Sequence, residues 1–126
     1  MPSGLGAAWS PAVDLYETPD SYILYVDLPG IPRDRIEIRV QQRSVLIRGV
    51  RGDPERGRAA DRLEIRTGRF EREVDLPGRI DASGASAVMR DGVLRIVLPR
   101  ESSESVSIDI EGEEQGPEIV EAGNAP

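Results

Sequence analysis

With 126 residues, 16 basic and 23 acidic side chains and a net charge of -7, the chain has room for one domain of ordinary size plus some tail. It contains neither cysteine nor histidine, which excludes disulfides and thiolate chemistry and removes the commonest catalytic base and transition-metal ligand. No stretch approaches the roughly 20 apolar residues of a membrane span, and Met1-Pro2-Ser3-Gly4-Leu5 has no basic leader region, so a soluble, cytoplasmic protein is expected.

The charge is unevenly spread. Residues 1–100 carry 15 acidic residues and 16 arginines, whereas residues 101–126 carry 8 acidic residues and no basic one. The tail therefore accounts for the net charge. An acidic segment punctuated by Pro and Gly reads as solvated chain that keeps an assembly in solution. The same balance argues against nucleic acid, which needs a basic face to neutralise phosphates. Every basic residue is Arg and none is Lys, a bias more readily explained by codon usage than by a structural demand.

Residues 1–11 form a short arm rich in Gly, Ala and Pro, with Leu5 and Trp9 as its large apolar groups. After Pro11 the hydrophobic period is close to two. Tyr22, Leu24, Val26 and Leu28 share one face of a predicted strand that Pro29-Gly30 stops. Ile36, Ile38 and Val40 alternate with Glu37 and Arg39, the pattern of a half-buried strand. Val45 to Val50 follows a connection, Gln41 to Ser44, that lacks the Asn-Gly or Asp-Gly of a tight hairpin, so a longer turn is expected there. Residues 51–61 are polar and rich in breakers, which predicts a long loop.

Arg69 to Leu76 resumes the alternation and ends at Pro77-Gly78. Ser86 to Arg90 and Val93 to Leu98 then flank Asp91-Gly92, a strong hairpin signal, with Leu94, Ile96 and Leu98 facing the core. No stretch of any length sustains the helical 3.6 period. The fold expected is all-β: an immunoglobulin-like antiparallel sandwich of about seven or eight short strands with flexible terminal arms. Its domain spans residues 12–100, between the arm of residues 1–11 and the acidic tail of residues 101–126.

Arg72 falls on the inward parity with Phe70, Val74 and Leu76. Either its stem packs and its head reaches a carboxylate at the sheet edge, or it is a paired charge at a subunit contact. A second irregularity lies in the tail. Val106-Ser107-Ile108-Asp109-Ile110 alternates like a strand but sits alone in acidic surroundings. A strand needs a partner for its backbone and its apolar face. Val106, Ile108 and Ile110 must therefore dock on their own sandwich or on another copy of the chain.

The residues resemble the small heat-shock proteins, the α-crystallin family of ATP-independent chaperones. Trp9-Ser10-Pro11-Ala12-Val13-Asp14-Leu15-Tyr16-Glu17 is similar to the segment that leads into the family's domain, and Tyr22 to Gly30 to its next strand and turn. Gly68-Arg69-Phe70-Glu71-Arg72 followed by Leu76-Pro77 is similar to its G-x-F-x-R-x-x-x-L-P element. The thirteen positions from Ala87 to Pro99 match its A-x-x-x-[ND]-G-V-L-x-I-x-x-P signature, and Ile108-x-Ile110 its tail motif. The likeness spans roughly residues 9–110.

The resemblance implies dimers formed by lending a strand from the long loop, with Asp61, Arg62, Leu63, Glu64, Ile65 and Arg66 as the lent segment. It also implies larger homo-oligomers, joined when the tail I-x-I of one chain enters an apolar groove at the sandwich edge of another. Leu5 and Trp9 become candidate client-binding residues. The family's N-terminal arm is usually several times longer than the ten or so residues before Pro11.

The function expected is thus a holdase that binds unfolding client proteins and prevents their aggregation, without nucleotide, cofactor or metal. No Gly-Lys phosphate loop is present. The alternative is a co-chaperone or adaptor sandwich that recognises the edge strand of one partner. An enzyme is not expected, because only carboxylates remain as acid–base groups. Glu71, Glu73 and Asp75 lie two apart, the pattern of a solvated strand face.

Overall fold

In the computed structural model, which describes residues 7–102 and 106–112, the alternating segments form seven strands. They are β1 (Val13–Glu17), β2 (Ser21–Asp27), β3 (Ile36–Val40), β4 (Ser44–Arg51), β5 (Gly68–Asp75), β6 (Ser86–Arg90) and β7 (Val93–Pro99). The acidic tail beyond residue 112 and Leu5 lie outside the described residues. Short 3-10 turns at Arg33–Arg35 and Ala82–Gly84 are the helical elements among the described residues. The all-β sandwich expected from the alternation is the observed fold.

Two antiparallel sheets build it. One has the order β1-β2-β7-β6, the other β3-β4-β5. Their inward positions are those that the period of two selects. Tyr22, Leu24 and Val26 on β2 are 0% exposed. They stand opposite Leu98, Ile96 and Leu94 on β7, which are also buried. Val45 and Ile47 on β4 and Phe70 on β5 close the core from the second sheet. Burying these side chains supplies the main favourable term, at roughly 25 cal/mol for each Å² of apolar surface removed from water.

The turns follow from local chemistry. Asp91 and Gly92 have φ of 52° and 80°, the left-handed pair of a two-residue hairpin whose twist suits the flanking strands. Pro29-Gly30 makes a turn with Gly30 at φ 77°, where Pro presets the first position and Gly takes the second without steric cost. The β3–β4 connection is shorter than expected: Gln41 donates its N–H to Ser44 O at 2.9 Å, in line with the Val40–Val45 pair, so only Gln42 and Arg43 lie between them although neither supplies the usual Asn-Gly or Asp-Gly. Its free carbonyls are used, since Arg43 O accepts from Leu76 N (2.8 Å) and Gln42 O from Ile80 N (2.9 Å). That pair ties the β5–β6 connection to the end of β3.

Candidate assembly and client-binding surfaces

A sandwich of two open sheets has four outer edges, belonging here to β1, β6, β3 and β5. Unpaired N–H and C=O groups along such edges are templates for pairing with other chains. What covers each edge therefore decides what the molecule can bind.

β3 and β6 are the outer edges on the side away from the arm, which runs from the β5 edge to the start of β1. Ile36, Ile38 and Val40 point inward, opposite Gly49, Ile47 and Val45. They stay only half-buried while packing against the core. On β6, Ala87 and Met89 stand opposite the buried Ile96 and Leu94. Met89 is half-buried, but Ala87 is exposed despite its inward position. The apolar residues of these two edges are thus only partly covered. Beyond the end of β3 lies a mixed hollow of about 590 Å³, lined by Val40, Gln41, Gln42, Ile80, Asp81, Ala82, Glu101 and Ser102. The edge residues were individually legible as strand positions. That β3 and β6 are outer edges follows from sheet order, which alternation does not encode.

The tail segment Val106 to Ile110 belongs to no strand. Its side chains Val106, Ile108 and Ile110 are 76%, 83% and 97% exposed. Within this chain it makes no strand pairing.

The loop residues Asp61 to Arg66 also form no strand, and Leu63 and Ile65 project into solvent. Within the loop, Arg62 pairs with Glu64 at 3.3 Å. The segment is bounded by Arg51 and Gly68, the last residue of β4 and the first of β5.

Arg72 lies opposite Ile47 with its stem half-buried, as its parity requires. Its head, however, reaches a carbonyl instead of a carboxylate: Nη1 donates to Pro11 O at 3.1 Å. Trp9 is likewise held in the domain. Its ring sits 5.3 Å from that of Phe70, and the Arg51 guanidinium lies 4.6 Å over its face. A parallel bridge joins Trp9 to Phe70, so the arm covers part of the β5 edge. Arg51 was missed as a contact residue because its partners lie far away along the chain.

On the outer face of the three-stranded sheet, Glu37 accepts from Arg39 Nε at 2.7 Å and from Arg48 Nε at 2.9 Å. The Arg39 hydrogen bond, followed by that of Arg48, holds the Glu37 carboxyl below the usual carboxylate range. Glu71, Glu73 and Asp75 are exposed. Among the described residues no cluster of acidic groups could hold a metal ion, and no helix is long and apolar enough to cross a membrane.

This sandwich with its tail is the architecture that the comparisons with known proteins recover. The Hsp20/alpha crystallin family model matches residues 14–111. The chain belongs to the Hsp20/α-crystallin family. It is 36% identical over 93 residues to a 17.7 kDa class II heat shock protein of Arabidopsis thaliana, a match covering 69% of this chain and 58% of the relative. Another class II protein of the same plant matches at 36% identity over 59% of its length, so the chain spans about three-fifths of these relatives. A small heat-shock protein from Xylella fastidiosa superposes with a TM-score of 0.72 at 34% identity, covering 85% of this chain and all of that one. The hspA structure from Xanthomonas axonopodis gives a TM-score of 0.67 at 38% identity, over 75% and 96% of the two chains.

Proposed function

We propose that this small heat-shock protein is an ATP-independent holdase that assembles by strand exchange and tail docking and captures partly unfolded proteins. One observation carries the reading: the chain leaves a row of apolar edge residues half-covered and, separately, an exposed apolar segment of matching period. Val106, Ile108 and Ile110 are at least three-quarters exposed, while Ile36, Ile38, Val40 and Met89 are left half-covered against the core. Each half needs apolar cover and strand pairing, and a second copy of the chain supplies both.

Strand exchange needs an acceptor edge. With β5 partly covered by Trp9 and with β3 and β6 assigned to the tail, the β1 edge is left for the lent segment Asp61 to Arg66. Unfolding proteins expose apolar surface and unpaired strands, the same chemistry that the tail offers. They compete with it for the groove, and repetition of weak grooves in an oligomer turns modest contacts into capture. No nucleotide enters this scheme, since exposed apolar area on the client drives it.

The test is the turbidity of a heat-denatured model client with and without the protein, in the absence of ATP. Suppression that rises with chaperone-to-client ratio is expected for several unrelated clients. Binding of one defined protein, with no protection of denatured mixtures, would establish the adaptor reading in its place.

A further inference from the structure

The segment that covers the edge of β5 is held by a set of contacts specific to one short stretch of sequence. Trp9 N donates to Arg69 O at 3.1 Å, and Trp9 O accepts from Glu71 N at 2.9 Å. These are the two main-chain bonds of one added parallel strand residue. The indole Nε1 donates to Gly68 O at 3.2 Å. Phe70 and the Arg51 guanidinium form two walls of the ring's slot. Arg51 is fixed in turn by bonds to Arg66 O and Pro29 O, each 3.1 Å. The next residue donates Ser10 Oγ to Glu71 O at 2.8 Å, and the one after it offers Pro11 O to Arg72.

The slot thus reads an extended backbone, an aromatic side chain with an N–H, a hydroxyl and a carbonyl, in that order. We propose that it is a binding site for extended polypeptide, filled in cis by Trp9–Pro11 and open in trans to an aromatic-bearing segment when the arm lifts. This is edge-strand addition with one aromatic anchor. The cis occupant is weakly fastened compared with the strands. Only two of its bonds are main-chain to main-chain, against a five-residue register between β1 and β2; the rest run through side chains near the surface, and Trp9 is only half-buried. Its stability therefore lies at the low end of the molecule's range, where local opening precedes global unfolding. Heat uncovers the slot before it melts the sandwich. The ligand's identity as an unfolding protein rests on the holdase reading, whereas the site itself does not.

Trp9 is the single tryptophan of the chain, which makes the site directly observable. Full-length Trp9→Ala lacks the aromatic anchor of the cis occupant and has no tryptophan emission, so the emission of an added peptide with the sequence of residues 7–12 reports binding. Saturable binding with a blue shift is expected, weaker by about tenfold or more for the wild-type protein, read by isotope-labelled peptide, because its own arm competes. Arg51→Ala added to Trp9→Ala weakens it by a similar factor, and a peptide with Ala for Trp does not compete. Absence of saturable binding to folded Trp9→Ala, or equal binding by both proteins, overturns the proposal.

If Trp9→Ala does not fold, the wild-type chain decides. Acrylamide quenching of Trp9 that rises well below the unfolding transition supports the latch, and protection up to that transition refutes it. These readouts involve no client, so a protein that binds the peptide but protects no client would refute the holdase reading alone.

Discussion

Gly49 and Phe70, directly opposite each other on β4 and β5, share a space that holds only one side chain. A Cβ built on Gly49 would lie 2.6 Å from Phe70 Cζ and would also overlap the backbone oxygen of Arg35. The glycine is therefore a packing requirement: it admits the phenyl ring whose other side receives Trp9. Gly49→Ala is expected to lower stability by about 3 kcal/mol, the upper range for overpacking a core. Denaturant unfolding measures it, and a loss below about 0.5 kcal/mol would mean that both the ring and the Arg35 backbone move aside freely.

The tail carries the next expectation. Ile108→Glu or Ile110→Glu should reduce any assembly to dimers, because an unpaired charge in an apolar groove costs on the order of several kcal/mol. Ile38→Glu, on the groove side, should do the same. Light scattering checks the mass, and an unchanged mass would show that the tail does not hold copies together.

Removal of Asp61 to Arg66 addresses the dimer. If these residues are lent to the partner, their deletion should leave a folded monomer, since loop shortening at the surface has little thermodynamic effect on the sandwich. A dimer that survives the deletion, seen by sedimentation, would place the interface elsewhere.

Arg72→Met keeps the stem and removes the donor to Pro11 O. The expected loss is about 1 kcal/mol, that of one hydrogen bond made by a charged group near the surface. The substitution should also increase the exposure of Trp9, because the same arm is released. A large drop in dimer affinity with unchanged monomer stability would instead mark Arg72 as a subunit contact.

Glu37 gives a pH dependence of definite sign. Its folded-state carboxyl is held below the ordinary value of 4.5, so its contribution is present above that value and is lost as pH falls through the folded pKa. The Tm gap between wild type and Glu37→Gln should therefore be small but present at neutral pH and close as the pH falls through the folded-state pKa of Glu37. It should also shrink in 1 M salt, since the group is about half exposed and solvent screens it.

Much of the fold was legible because strand burial repeats every second residue. Tyr22, Leu24, Val26 and Leu28 were assigned to one face by parity and are buried, as are Leu94, Ile96 and Leu98. Asp91-Gly92 announced its hairpin because a two-residue turn needs left-handed φ values that this dipeptide supplies. The first strand, Val13–Glu17, was not marked out by periodicity: its burial is slight, and its pairing with β2 defines it. For Arg72, parity indicated a buried stem, but the head's partner lies 61 residues away and is a main-chain oxygen with no residue signature.

The sequence by itself determined the local matters: strand faces, the Asp91-Gly92 hairpin, an acidic tail, an apolar alternation at Val106 to Ile110 lacking a partner nearby, and membership of a family through the Ala87 to Pro99 pattern. These depend on residues within one or two turns of chain, where sterics and period act directly. The tertiary structure decided what is close to what. It made β3 and β6 outer edges with their apolar residues half-covered, and left Ile108 and Ile110 in solvent. It also brought Arg51, Phe70 and Gly68 around Trp9. Those relations depend on sheet order and on edges left uncovered, and edge exposure is a property of the packed sandwich that no single strand carries in its own residues.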